Sequence, residues 1–439
     1  MKRTFAIAIA AACLASLLSA VDALSPGGAS LAGLDALYPD LRNLYVDLHQ
    51  NPELSFHEEK TAARLAERLR ALGFEVTTGI AGTGVVGLLK NGAGPTVMIR
   101  TDLDALPVEE KTGLPYASKI TTKDNSGATV PVMHACGHDV HMSSWIGTAT
   151  LLSKARDRWR GTLMMVGQPA EEMGGGARKM LAAGLFTKFP KPDFAIAFHD
   201  DAEMAAGQIA GVPGYALANV DSVDVTIYGK GGHGAYPHRT VDPIVIAART
   251  VVALQTIVGR ENNPLDPAVV TVGSIHGGTK HNVIPDEVKL QLTVRSYKDD
   301  VRKHLLEAIA RIAKGEAAAA GAPREPKIEV VDGTPAVYND PALTKRLSAM
   351  LARSLGAARV EEREPVMGAE DFSEYGRAGV PSAILWVGAV ERKKYDAAKA
   401  SGATLPSLHS SEFAPDPEPT IKAGVTAMTL SALELLAKP

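Results

Sequence analysis

Within the nine residues Met133-His134-Ala135-Cys136-Gly137-His138-Asp139-Val140-His141 the chain places one thiol, three imidazoles and a carboxylate. Cys136 and His138 alternate, so on an extended strand end or a tight turn both side chains point to one side. A thiolate and a neutral imidazole are good ligands for a transition metal. Further on, Gly167-Gln168-Pro169-Ala170-Glu171-Glu172 sets a carboxylate pair where a strand should end. Together the two stretches suggest metal-assisted hydrolysis, with one Glu on the metal and the other moving protons.

Such a site needs ligands from several strand ends. His199 follows the apolar run Phe194–Phe198, and His409 lies in Ser407–Phe413. Cys136, His138, Glu172, His199 and His409 are more ligands than one tetrahedral zinc site uses, which points to two adjacent metals. Taken singly, each His also reads as a surface or satisfied core residue, and Cys136 as a small buried hydrophobe. Glu171 and Glu172 read as oppositely directed neighbours on an extended segment, or as a solvated pair opening the next helix. The glycines of Lys230–Ala235 can present His233 at a site, without the pattern of a phosphate-binding loop. Asn282 and Arg295 are candidates for holding a substrate carboxylate; Arg295 also reads as a plain strand-face charge. A different chemistry, a Cys136–His138 nucleophile pair, leaves the Glu pair, His199 and His409 without a role.

Alternating strands and helices must position these groups. Periodicity predicts helices over about Leu41–Leu72, Met142–Lys154 and Gly176–Ala183, with strands over Glu75–Lys90, Thr96–Thr101, Thr162–Gly167 and Phe194–Phe198. This is an open mixed α/β sheet, whose ligands bind beyond the carboxyl ends of strands. From about Ala218 the pattern becomes strand, helix, strand, strand, helix, strand, ending at Lys327–Val331, as in a ferredoxin-like insert. The α/β texture then resumes with helix Pro341–Leu355, strand Ala383–Val387 and a final helix from Pro419. The expected plan is a leader (1–23), a catalytic domain in two parts (28–217 and 334–439) and an inserted domain (218–333).

The chain has 439 residues, 46% of them hydrophobic, and a net charge of -3, which gives no sign of nucleic acid or an anionic membrane as partner. Lys2 and Arg3 precede the apolar run Phe5–Leu18, the pattern of a secretory signal with cleavage after Ala23. Cys13 offers a lipidation alternative. The expected mature protein is exported, periplasmic or secreted. It keeps one of the two cysteines, Cys136, and so has no internal disulfide.

With these residues in view the chain resembles the metallo-amidohydrolases that include hippurate hydrolase, N-acyl-amino-acid aminoacylases and plant auxin-conjugate hydrolases, related to carboxypeptidase G. The motifs are Asp47–Glu53, Arg100–Pro107, Cys136–His141, Gly167–Glu172, Gly229–His238, His281–Pro285, Met367–Phe372 and His409. The resemblance implies two divalent metal ions (zinc, manganese, nickel or cobalt) on Cys136, His138, Glu172, His199 and His409, with Asp102 supporting them from behind. It implies Glu171 as general base, His233 as oxyanion stabiliser, and Asn282 and Arg295 on the substrate carboxylate. The insert would be a lid and dimerisation domain of a homodimer. The substrate would be an N-acyl amino acid, or a short peptide if the chain is a dipeptidase or carboxypeptidase. A catalytically silent periplasmic binding protein is the alternative outside enzymes.

Overall fold

A computed structural model describes residues 31–437. The expected secretory leader and Cys13 lie outside the described residues. Among the described residues, helices α1 (Leu34–Gln50) and α2 (Glu59–Ala71) come first, followed by strands β1 (Glu75–Ile80), β2 (Gly84–Asn91) and β3 (Thr96–Asp102). Next come α3 (His138–Lys154), β4 (Gly161–Gln168), β5 (Phe194–Ala205) and β6 (Ile209–Gly211). A second run follows: β7 (Asn219–Tyr228), α4 (Pro243–Thr256), β8 (Ala268–His276), β9 (Glu287–Ser296), α5 (Asp299–Ala319) and β10 (Lys327–Thr334). The chain closes with α6 (Pro341–Leu355), β11 (Val360–Glu362), β12 (Ser382–Val390) and α7 (Pro417–Leu435).

These elements form two compact units. Unit 1 takes the described residues up to Gly214, then Asn339–Arg363, then the described residues from Tyr375. Its eight-stranded sheet runs β1-β2-β4-β3-β5-β12-β6-β11. β3 pairs in parallel with β4 on one side and β5 on the other, while β1–β2, β2–β4 and β6–β12 are antiparallel. The sheet is therefore mixed, within the expected α/β class. β3 and β12 are buried along almost their whole length, which is why Val97–Ile99 and Ala383–Val387 within them read as unbroken apolar runs.

Helix α3 is buried from His138 to Leu152, so it has no polar face to give it away in sequence. Its Trp145 donates to the Ile99 carbonyl at 3.0 Å and fixes the helix on β3. α7 packs against α3 closely enough that a Cβ on Gly424 would sit 2.6 Å from Ser144 Oγ. α1 carries His49 into the same interior. His49 Nδ1 lies 2.6 Å from Asp139 and Nε2 3.1 Å from Glu110. Burial alone would lower the His49 pKa, but the bonds to Asp139 and Glu110 outweigh it and raise it to about 9.

His49 is therefore protonated in the folded chain and mostly neutral in the unfolded one at neutral pH. Its contribution is complete below its ordinary pKa and is lost as pH rises through about 9. At 1.36 kcal/mol per unit this is on the order of 3 kcal/mol. Urea unfolding should show stability falling between pH 7 and pH 9.5, with that fall reduced in His49→Asn. An equal fall in the variant would contradict the assignment.

Unit 2 comprises Tyr215–Tyr338 and Glu364–Glu374. Its antiparallel sheet has the order β8-β9-β7-β10, the arrangement of a ferredoxin-like fold. β9 alternates exposed and buried positions from Glu287 onward, with Val288, Leu290, Leu292 and Val294 facing the core under α4 and α5. The segment Glu364–Glu374 joins this unit through backbone bonds: Val366 N–H to Ala216 O at 3.0 Å and Ala218 N–H to Gly368 O at 2.8 Å.

Candidate active site

The site of unit 1 lies where β3 and β4 end, beside the middle of β5. The chain leaves β3 for β4 on one side, then crosses to β5 on the other, so β3 is a topological switch point of the sheet. β5 does not stop at Phe198, as its apolar run suggests, but continues to Ala205 because β12 pairs with it through Trp386↔His199 and beyond. β3 leaves β5 after Ile99↔Ile196, so His199 stands past the point where that pairing ends. Cys136 lies in the turn before α3. Gly137, at φ 73°, reverses the chain there, and a Cβ on it would fall 2.2 Å from Asp200 Oδ2. α3 consequently starts at His138 rather than Met142, and His138 and His141 share one face a turn apart. Glu171 and Glu172 follow β4, and His409 sits in the left-handed region at φ 66° with its N–H bonded to Ala135 O.

The fold brings Cys136, His138, Glu171, Glu172, His199 and His409 together. Cys136 Sγ lies 3.5 Å from His199 Nε2 and 3.2 Å from His409 Nε2. His409 Nε2 is 3.4 Å from Glu172 Oε2, and His138 Nε2 is 3.8 Å from Glu172 Oε1 and 3.9 Å from Glu171 Oε2. Overlapping groups of donors result, among them Cys136, His138 and His199; Cys136, Glu172 and His409; and His138, Glu171 and Glu172. Cys136 belongs to the first two of these.

The imidazoles are oriented from behind. His138 Nδ1–H donates to Asp104 O at 2.8 Å and His199 Nδ1–H to Asp200 O at 2.7 Å. Each ring therefore turns Nε2 inward as a lone-pair donor, the usual device for setting a ligand's tautomer. Asp104 also accepts the backbone N–H of Glu171 and of Glu172, both at 3.1 Å, and the Ser55 hydroxyl at 2.6 Å. Asp102 accepts from Arg100 at 2.7 Å and from His141 at 2.8 Å, and His141 reaches Asp200 at 3.1 Å.

Burial of so many carboxylates shapes the electrostatics. Burial pushes the Glu172 carboxyl up, and pushes the Cys136 thiol well above its ordinary range, where the nearby Glu172 charge adds to the effect. Burial also opposes the charge on Asp102, but His138, His141 and Arg100 hold it well below the usual carboxylate range. Buried His138 Nε2 and Glu172 Oε1 make no hydrogen bond. Each such orphan costs about 1–3 kcal/mol. A soft thiolate, neutral imidazoles and a carboxylate with unspent lone pairs fit divalent transition metals, which would satisfy them together.

Replacing Asp102 by Leu removes the carboxylate from a fully buried ion pair. The expected loss is about 3–5 kcal/mol, read as a lower urea midpoint at an unchanged slope. A loss below about 1 kcal/mol would show that Arg100 does not depend on Asp102.

His233, Asn282 and Arg295 belong to unit 2. His233 and Asn282 are neighbours there, with His233 paired to Val283 and Gly234 N–H bonded to Asn282 O at 2.9 Å. Arg295 is not with them. It lies near the far end of β9, roughly 25 Å along the strand from Glu287, and donates to Met367 O at 2.7 Å. Proximity within one insert did not distinguish the two ends of a strand. Asp104, His141, Asp200 and Arg100 were not singled out as site residues. The one signal for Asp104 was its alternation with Asp102 at a strand end.

Residues 98–405 match peptidase family M20/M25/M40. The chain is 37% identical over 391 residues to thermostable carboxypeptidase 2 of Saccharolobus solfataricus, covering 88% of this chain and 93% of the relative. It is 38% identical over 338 residues to the hippurate hydrolase of Campylobacter jejuni, covering 76% and 85%. Among solved structures, the YXEP protein of Bacillus subtilis, described as a dinuclear metal-binding peptidase of the M20 family, superposes with a TM-score of 0.73 at 31% identity, covering 91% and 99%. The resemblance drawn from the motifs and the mixed α/β fold both agree with these findings: the chain belongs to peptidase family M20/M25/M40 and is a metal-dependent amidohydrolase or metallopeptidase.

Proposed function

We infer that this chain hydrolyses the amide bond of N-acyl amino acids, with Glu171 as the proton carrier. The observation that carries the reading is a cluster of five ligand-type side chains with a buried carboxylate beside it, Glu171, 8% exposed and 3.9 Å from His138 Nε2. Cys136, His138, Glu172, His199 and His409 would hold two divalent metals. When bound, the metals supply Lewis-acid chemistry, acidifying a water and polarising the scissile carbonyl. Glu171 takes a proton from the attacking water as the water oxygen bonds to the acyl carbon. As the carbon–nitrogen bond breaks, Glu171 returns that proton to the leaving nitrogen, giving a carboxylic acid and an amine, which part as carboxylate and ammonium at neutral pH. Asp104 keeps Glu171 in place through its backbone N–H, and His409, 55% exposed at its side chain, leaves one side of the cluster open.

A second reading, removal of C-terminal residues from short peptides, is favoured by the likeness to a carboxypeptidase over 88% of the chain. Amine release from hippurate, N-acetyl amino acids and dipeptides, after loading with manganese or zinc, separates the two. Cleavage of the acylated substrates supports the first; cleavage of dipeptides alone moves the assignment to the second.

The chain is further proposed to be exported and to pair through unit 2. The first rests on Lys2, Arg3 and the apolar run after them. The second is supported by β8, an edge strand of its sheet, and by Val252 on α4, 72% exposed. Cell fractionation tests export. A monomeric mass by light scattering would remove the dimer.

A further inference from the structure

Beside Glu172, unit 1 opens an apolar cleft of about 380 Å³, a volume suited to a small ligand group. Leu54, Leu106, Pro107 and Met173 form its walls, and Asp124 and Asn125 its rim. The rim is the tip of a hairpin whose strands are Thr121–Lys123 and Thr129–Pro131. Asp124 Oδ1 accepts from the backbone N–H groups of Ser126 and Ala128, both at 2.9 Å, so the tip carries its own support. Asn125 joins rim to wall, its side-chain amide reaching Met173 Sδ at 3.8 Å and His57 Nε2 at 3.3 Å.

We propose that this cleft receives the acyl group of the substrate and selects apolar acyl groups longer than acetyl. The proposal rests on the amide-hydrolysis reading above. Glu172 is at once a lining residue and one of the ligand-type groups, so whatever fills the cleft is continuous with the reacting carbonyl. An N-acyl amino acid offers two halves. The amino-acid half carries a carboxylate, which would meet the Asp124 carboxylate at the rim with no Lys or Arg among the lining residues. Like charges at close range exclude it. The acyl half is uncharged and gains from leaving water. Met173, 45% exposed, supplies an adaptable thioether wall that re-packs around different chains.

The test uses the metal-loaded full chain and the N-acetyl, N-butyryl and N-hexanoyl derivatives of one amino acid. Two readouts are taken: kcat/KM in the wild type, and Kd by calorimetry in Glu171→Gln. Both should improve about fourfold per added methylene until the cleft is full. Met173→Trp, at an exposed position that does not threaten folding, should fill the cleft and cut the hexanoyl-to-acetyl ratio by about tenfold or more. Leu106→Trp, at a second lining residue, should do the same. Turnover with a flat acyl series overturns the cleft assignment alone. So does a Met173→Trp effect that follows the amino-acid side chain instead of the acyl chain. Graded binding without any turnover overturns the hydrolase reading and supports the cleft. Neither binding nor turnover overturns both.

Discussion

Glu171→Gln is expected to lower kcat by about 10²–10⁴-fold, the range for loss of a positioned general base, while the metal content per chain stays that of the wild type. The substitution keeps the shape of the side chain. It also keeps the backbone N–H bond to Asp104 at 3.1 Å, so the turn after β4 should hold its geometry. What it removes is the one carboxylate in the cluster left for proton transfer once Glu172 serves as a ligand. Because water attack and amine departure both need that carboxylate, KM should change far less than kcat. Amine release under saturating substrate, beside elemental analysis of the same sample, checks both halves. Near-wild-type turnover would remove Glu171 from the mechanism. Lost metal would show that it is a ligand instead.

Cys136→Ala should have the second-largest effect, of a different kind. Cys136 is shared by two donor groups, one with His138 and His199 and one with Glu172 and His409, with His199 Nε2 at 3.5 Å and His409 Nε2 at 3.2 Å from its sulfur. Losing it removes a donor from each, so metal stoichiometry should fall and turnover with it, by about a hundredfold or more. In the metal-free chain burial holds the thiol well above its ordinary pKa, so binding must expel its proton. Metal uptake by the wild type should therefore release acid and weaken as pH falls; in Cys136→Ala that proton release should shrink. Unchanged stoichiometry in the variant would take Cys136 out of the ligand set.

The parts of this site that sequence reveals are those in which chemistry is packed locally. Cys136 and His138, two apart, and the Glu171–Glu172 pair stand out because such residue types seldom cluster without a purpose. The class of fold was legible for a similar reason: Val97–Ile99 in β3 and Ala383–Val387 in β12 read as unbroken apolar runs, and β9 as strict alternation. What periodicity does not carry is the partner. β5 runs on past His199 because β12 lies beside it, a fact of pairing between segments far apart in the chain. α3 begins at His138, four residues ahead of its apolar pattern, because His138, Asp139 and His141 are buried polar residues with partners on other elements. Asp104 holds both glutamates by their backbone N–H groups, an interaction that has no signature in side-chain type. Asn282 and Arg295 look alike as candidates in one insert, yet the length of β9 keeps them apart.

The most direct test of metal-dependent amide hydrolysis is a titration. The chain is stripped with a chelator, manganese or zinc is added back in steps, and amine release from an N-acyl amino acid is measured at each step. The account predicts no turnover in the stripped protein and a rise that levels off at two metals per chain. Turnover undiminished by stripping, or a loaded chain that cleaves no amide, would contradict it.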